Sequence, residues 1–127
     1  MGFKLGKEKR GFKGPKNTPI FRKSLEGDVK AEANMDGSIY VDSNIPVDSK
    51  MFKRVIRHEM KHKEDIETGK AAYGDEWVMW KDDVFFRRTI NGEKVIDGPN
   101  GRWPEGHPNH PWEQEAIQAE KNEDYGI

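Results

Sequence analysis

Two histidines four residues apart, with a glutamate directly after the first, constrain this chain more than any other feature. They lie in His58-Glu59-Met60-Lys61-His62. In an α-helix, positions i and i+4 share a face with Cβ atoms about 5–6 Å apart, so both imidazoles can reach one tetrahedral ion. Glu59 lies one position further round the helix and can contact a metal-bound water instead. The pattern predicts a zinc site with His58 and His62 as ligands and Glu59 as a base.

The flanking sequence predicts that this motif lies on a helix. Pro46 ends the preceding segment, Asp48 or Ser49 suits the N-cap position, and Gly69 suits a C-terminal stop. Steps of three and four predict an inward stripe of Met51, Val55, His58, His62 and Ile66 or Asp65, with Phe52, Ile56 and Glu59 beside it and Lys50, Lys53, Arg54, Arg57, Lys61 and Lys63 in solvent. Polar groups on an inward face need partners, which either backbone groups or a metal would supply.

A catalytic zinc site needs a third protein ligand, and the fourth position is left to water. The candidate segment is Pro111-Trp112-Glu113-Gln114-Glu115-Ala116, which begins an acidic, helix-favouring stretch. With this segment, the chain resembles small zincin-type metallopeptidases of the gluzincin kind, including compact phage and bacterial members, in which a second helix carries Glu-x-x-Ala. The resemblance covers residues 39 to 121. It implies Glu113 as the third ligand, with Glu115 as the alternative in a shifted frame.

Between the two motifs, the resemblance includes Asp65, Gly69 and the run from Tyr73 to Trp80. It implies an α+β, zincin-like fold in which the motif helix and a second ligand-bearing helix pack on a small antiparallel sheet. The implied chemistry is peptide-bond hydrolysis by a zinc-activated water, whose proton Glu59 takes and passes to the leaving amine. Asp65 either orients an imidazole or is a solvent-facing helix acid, and the candidate donors to the oxyanion are His110, His107, Tyr73 and Tyr125.

The chain between His62 and Glu113 is longer than in the most compact members of such families, so it must fold back. Residues 76–80 and 84–90 are predicted as strands around a turn, and Asn91-Gly92 is a strong hairpin signal before a strand at 93–96. Residues 100–111 are predicted as a loop passing close to the metal. Its histidines, His107 and His110, are either polar groups of the site or ordinary loop residues.

Composition limits the remaining choices. A chain of 127 residues suits one domain, and its 33% hydrophobic and 35% charged residues predict a small core with polar edges. The absence of cysteine excludes disulfides and thiolate zinc sites, which leaves histidine and carboxylate as metal ligands. The chain has neither a run of about twenty apolar residues nor the apolar core of a signal peptide. We therefore expect a soluble, cytoplasmic protein, with virion association under the assembly alternative below.

The formal net charge of −1 conceals a basic beginning. Residues 1–23 contain eight Lys or Arg and one acid, together with several glycines and prolines. This composition predicts a basic extended arm over residues 1–24 and a zincin-like metal-binding domain over residues 25–127. The arm is expected to be dispensable for folding. It either docks to a larger protein assembly or is a solvated tail.

A hairpin is predicted just before the motif helix, with strands at 29–34 and 38–42 around Asp36-Gly37. In zincin-like folds an edge strand lines the substrate cleft and can accept an extended peptide by strand addition. The strand from Ser38 to Asp42 is placed for this role.

Two functions from different classes follow. The first is a zinc-dependent metallopeptidase acting on a peptide or protein substrate. The alternative is a structural or assembly protein, for instance a phage virion component, that keeps the zincin fold and docks through its basic arm. An intact Glu59 favours the enzyme, because a structural zinc needs no base. The near-neutral net charge argues against a nucleic-acid partner, and no membrane partner is expected.

Overall fold

A computed structural model describes residues 11–99 and 101–122, with side chains from residue 13 onward. Along the chain the elements are β1 (Gly11–Lys13), β2 (Pro19–Lys23), β3 (Ala31–Ala33), β4 (Ile39–Asp42), α1 (Lys50–Glu67), β5 (Ala71–Tyr73), β6 (Trp77–Trp80), β7 (Asp83–Ile90), β8 (Glu93–Gly98), β9 (Gly101–Pro104) and α2 (Pro111–Ala119). This content confirms the predicted α+β class. The described strands form two sheets, however, and not one small sheet.

The first sheet has the strand order β1-β2-β4-β3. Its β3–β4 hairpin is the predicted one, and its turn uses Gly37 at a φ of +92°, a conformation that glycine adopts without steric cost. β2 and β4 pair in parallel, whereas β1–β2 and β3–β4 pair antiparallel, so this sheet is mixed and only part of its pairing matches the predicted antiparallel sheet. Because β4 lies between β2 and β3, the strand from Ser38 to Asp42 is not at the edge. The edge strand next to the site is β3.

Residues of the predicted N-terminal arm form part of this sheet. Ile20 of β2 is 0% exposed and pairs in register with Ile39, so it lies in the core with Val41. The boundary at residue 24 is therefore wrong for residues 11–23, because the apolar side chain of Ile20 fills the space between the sheet and α1. The remainder of the predicted arm, residues 1–10, lies outside the described residues.

α1 begins and ends where the sequence predicts. The Ser49 side chain accepts a hydrogen bond of 3.1 Å from the Phe52 backbone N–H, and Gly69 follows the helix with a φ of +80°. Its buried face is rotated from the predicted stripe and holds Phe52, Ile56, Glu59, Met60, Lys63 and Asp65. Met51 is 41% exposed, whereas Lys63 is buried. The two motif histidines consequently lie half-buried at the side of the core.

The second sheet is an antiparallel meander of β5 to β9. Asn91 and Gly92 form its predicted tight turn, both with positive φ, as a two-residue hairpin loop with matching twist requires. β9 lies within residues predicted as a loop. That prediction is wrong for Gly101–Pro104, and a strand containing Pro104 is tolerated because β9 is an edge strand.

α2 joins the two packed regions of the molecule. Its first turn places Trp112 in a core with Trp80, Phe85 and Ile96 of the second sheet, and its last turn places Ala119 in the core of the first sheet. This packing brings the helix back beside α1, as the predicted third ligand requires. Neither described α-helix combines the length and apolar character needed to cross a membrane.

Candidate metal centre

α1 and α2 bring the three predicted ligands into direct contact. The Oε1 atom of Glu113 lies 2.8 Å from Nε2 of His58 and 3.2 Å from Nε2 of His62. The two imidazole rings are 4.9 Å apart between centroids, as expected for residues one helical turn apart. One carboxylate oxygen thus sits at the point on which both Nε2 atoms converge.

Glu59 completes a compact group of acceptor atoms. The ligand-capable atoms of His58, Glu59 and His62 all lie within 4.8 Å of one another. Glu59 is 8% exposed, and burial, partly offset by the charges of the two histidines, raises the pKa of its carboxyl group. A carboxylate with a raised pKa is better suited to accept a proton near neutral pH.

The histidines and Glu113 stabilise each other's charged forms. Burial disfavours the His58 imidazolium, but hydrogen bonds to Glu113 and Glu120 and the charge of Glu59 outweigh it and raise the pKa of His58 to about 9. For Glu113, burial acts in the opposite direction, yet the bonds to His58 and His62 lower its pKa to about 2. The three side chains form a charge-assisted cluster. A carboxylate on which two imidazole nitrogens converge is also a ligand type of catalytic zinc sites.

Glu115, the alternative ligand, points to a different neighbourhood. Its carboxylate lies 2.9 Å from Lys70, 3.5 Å from Lys61 and 3.7 Å from Lys81. Glu115 follows Glu113 by two residues, which is about 200° round the helix. It therefore lies on the far side of α2, where these lysines surround it. The structure therefore gives the contact with the histidines to Glu113.

Asp65 is also held by lysines and not by an imidazole. It is 1% exposed, and its Oδ1 atom lies 3.0 Å from Lys61 and 3.9 Å from Lys70. The structure thus places Asp65 on the buried face of α1, where the described contacts join it to lysines. Asp65 and Glu115 share contacts with Lys61 and Lys70.

The predicted oxyanion donors are scattered. His110 is buried, with Nε2 3.0 Å from the Pro104 carbonyl oxygen and its ring stacked on Trp112, so it supports the start of α2. His107 accepts a hydrogen bond from the Asn109 backbone N–H and stacks on Trp103. Neither lines the groove beside the motif. Tyr73 does line it, and Tyr125 lies outside the described residues.

A groove with a volume of about 1120 Å³ opens over the motif. Its floor includes Val55, His58, Glu59 and His62 of α1, and its walls include β3, the start of the second sheet and α2. At one side the Tyr73 hydroxyl donates a 2.8 Å hydrogen bond to the carbonyl oxygen of Ala33 in β3. The candidate ligands therefore face a space large enough for a small molecule or a peptide segment.

Sequence reasoning missed Glu120. Its Oε2 atom lies 2.9 Å from Nδ1 of His58, on the opposite side of the ring from Glu113. Glu120 follows Glu113 by seven positions, about two helical turns, so the two side chains share a face. That spacing was a usable signal, because it predicts two carboxylates on the face that carries the third ligand.

No family model, no curated protein and no solved structure matches this chain. Two imidazoles and one carboxylate converge within hydrogen-bond distance, and a second carboxylate is buried beside them. Two histidines and a glutamate form a known ligand set of catalytic zinc sites, so the donor atoms fit Zn²⁺.

Proposed function

We propose that this protein binds Zn²⁺ through His58, His62 and Glu113 and hydrolyses peptide bonds as a zincin-like metallopeptidase. The observation that carries the proposal is the convergence of both Nε2 atoms on one oxygen of Glu113, at 2.8 Å and 3.2 Å, beside the buried Glu59. A zinc ion bound only for structure would need no base, whereas the carboxyl group of Glu59 is buried close to both histidines.

Each residue of the site has a distinct role in the proposed mechanism. When bound, Zn²⁺ would lower the pKa of a water and polarise the scissile carbonyl. His58, His62 and Glu113 hold the ion from two helices whose relative position is fixed by packing. Glu59, with its pKa raised by burial, accepts the proton of the attacking water and returns it to the leaving amine.

We expect an extended substrate to pair with the edge of β3. Backbone hydrogen bonds from Asn34 to Ser38 and from Asp42 to Lys30 direct those residues toward β4. By the alternation of an antiparallel pair, the backbone N–H and C=O groups of Ala31 and Ala33 point away from β4, into the groove. Of these, the Ala33 carbonyl is bonded to Tyr73. A peptide added at this edge would cross the motif helix beside Glu59.

Metal content and zinc-dependent hydrolysis test the proposal together. We expect about one zinc ion per chain in the purified protein. His58→Ala, His62→Ala and Glu113→Gln should each lose the ion while keeping the fold, because each removes one of three ligands. Glu115→Gln, a matched change on the same helix, should retain it. Elemental analysis measures the metal, and circular dichroism checks folding.

Hydrolysis is then measured on a broad peptide library before and after zinc removal. Activity should disappear with a chelator and return with added Zn²⁺. Retention of zinc by Glu113→Gln with loss in Glu115→Gln would reject the ligand assignment. A zinc-loaded protein that cleaves no peptide would support the alternative, an assembly protein that retains the metal site.

A further inference from the structure

His58 contacts a carboxylate at each of its two ring nitrogens. Glu113 lies 2.8 Å from Nε2, and Glu120 lies 2.9 Å from Nδ1. Both acids come from the same short segment, α2 and the residue that caps it. Two side chains from this one segment therefore contact the two ring nitrogens of a single imidazole. Only the Nε2 side faces the other candidate ligands.

The position of Glu120 is fixed independently of His58. The guanidinium of Arg57 donates a 3.0 Å hydrogen bond from Nη1 to the Glu120 backbone carbonyl. Nε of Arg54 lies 4.0 Å from the Glu120 Oε1 atom. The neighbouring Ala119 is buried in the core of the first sheet. These contacts anchor the end of α2 to α1. The backbone that carries the Glu120 carboxylate is therefore fixed relative to His58.

An imidazole can bind a metal through Nε2 only when that nitrogen carries no proton. A carboxylate that accepts the Nδ1–H bond keeps the proton on Nδ1, fixes the rotation of the ring and makes Nε2 a stronger donor. Such outer partners typically change metal affinity about 10- to 100-fold when removed. The 2.9 Å contact of Glu120 has the geometry for this role.

We propose that Glu120 is a positioning residue of the metal centre, which holds the His58 ring so that Nε2 faces the site shared with His62 and Glu113. The proposal rests on the zinc site proposed above. It adds a residue that lies outside the histidine motif and follows the last turn of α2, where the backbone is anchored to α1 through Arg57.

The test is the dissociation constant for Zn²⁺, measured by competition with a chromophoric chelator. Glu120→Ala should weaken Zn²⁺ binding by about 10- to 100-fold. Glu120→Gln should lie between Ala and wild type, because the amide oxygen still accepts the hydrogen bond but carries no charge. Glu115→Gln, on the same helix among lysines, is the matched control and should bind zinc like wild type. A wild-type affinity in Glu120→Ala would overturn the proposal.

A second readout uses the zinc-free protein, so that failure of the zinc site and failure of this contact are separable. In the ring ¹H–¹⁵N spectrum near pH 6.5, the Nδ1–H of His58 should give a slowly exchanging signal in wild type and in Glu115→Gln. Glu120→Ala should lose it while its thermal unfolding stays cooperative. If wild type binds no zinc yet shows this pattern, the contact is real and the zinc function is wrong. If wild type lacks the signal, the positioning role is wrong.

Discussion

Glu59 and Glu113 are two buried acids beside the same pair of histidines, and their surroundings move their pKa values in opposite directions. For Glu59 burial dominates and raises the pKa, whereas hydrogen bonds from His58 and His62 lower the pKa of Glu113 to about 2. Paired carboxylates with separated pKa values are typical of sites in which one acid stays ionised and the other exchanges a proton. Under the proposed function, these opposite shifts suit Glu113 to the role of a ligand and Glu59 to that of a base.

Substitution of Glu59 by glutamine tests whether the protein is a metallopeptidase or an assembly protein. The amide is nearly isosteric and leaves all three ligands in place, so zinc content and thermal stability should stay close to wild type. The proton acceptor is lost, and peptide hydrolysis should fall by about 10²- to 10⁴-fold. The measurement is the hydrolysis rate at equal zinc occupancy for both proteins.

The control for this experiment is Glu32→Gln, which changes an exposed carboxylate of the same groove that is not bonded to the histidines. It should change the rate far less than Glu59→Gln does. Equal rates in wild type and Glu59→Gln would remove Glu59 from the mechanism.

At the scale of single residues, the sequence predicts those side-chain positions that depend only on the spacing of residues within one helix. His58, Glu59 and His62 are recognisable because four residues make about one helical turn. The orientation of Asp65 is not predictable in this way. An error of about 100° in the buried face of α1 exchanges a histidine-facing acid for a core-facing one, and only contacts with the first sheet decide between them.

α2 is the element on which the site depends, because it carries Glu113 and packs in both cores. Trp112 lies 5.0 Å from Phe85 in an edge-to-face contact and 6.2 Å from Trp80, between ring centroids. Ala116 and Ala119 follow at the helical spacing and are buried. Trp112 thus anchors the start of α2 on the second sheet, while Ala119 lies in the core of the first sheet.

Trp112→Ala should therefore damage both stability and metal binding. Loss of a buried tryptophan typically costs about 3–5 kcal/mol in the free energy of unfolding. The start of α2 would also lose its anchor in the second sheet, and zinc affinity should fall although no ligand is changed. Chemical denaturation and chelator competition measure the two effects.

Ile117→Ala is the matched control on the same helix, since Ile117 is 36% exposed. Its cost should stay below about 1 kcal/mol, with zinc affinity preserved. Undiminished zinc affinity in Trp112→Ala would show that the second sheet does not position Glu113.

For the whole molecule, the elements that local signals specify were predictable and the long-range pairings were not. Asp36-Gly37 and Asn91-Gly92 predict their hairpins, and Gly37, Asn91 and Gly92 adopt the positive φ that such turns require. The parallel pairing of β2 with β4 has no comparable signal, because its two strands are joined by a long connection that includes β3. Glycines, prolines and charges around Ile20 made a core strand resemble an extended arm.

Two truncations test where the folded unit begins. Removing residues 1–10 deletes no described strand, helix or core residue, so the thermal midpoint should stay within a few degrees of wild type. Removing residues 1–23 deletes β1 and β2, exposes the edge of β4 and opens the core at Ile20, so cooperative unfolding should be lost. Circular dichroism melts compare both proteins with the full chain.

A pair of point variants tests whether the loss of the core contact of β2 causes the loss of cooperative unfolding. Ile20→Ala removes a fully buried side chain and should cost about 2–5 kcal/mol in the free energy of unfolding. Phe21→Ala, at the next position on the opposite and partly exposed face, should cost less. A truncation of residues 1–23 that melts like wild type would return this segment to the role of an arm. A severe effect of Ile20→Ala combined with an intact first truncation places the start of the domain between residues 10 and 20.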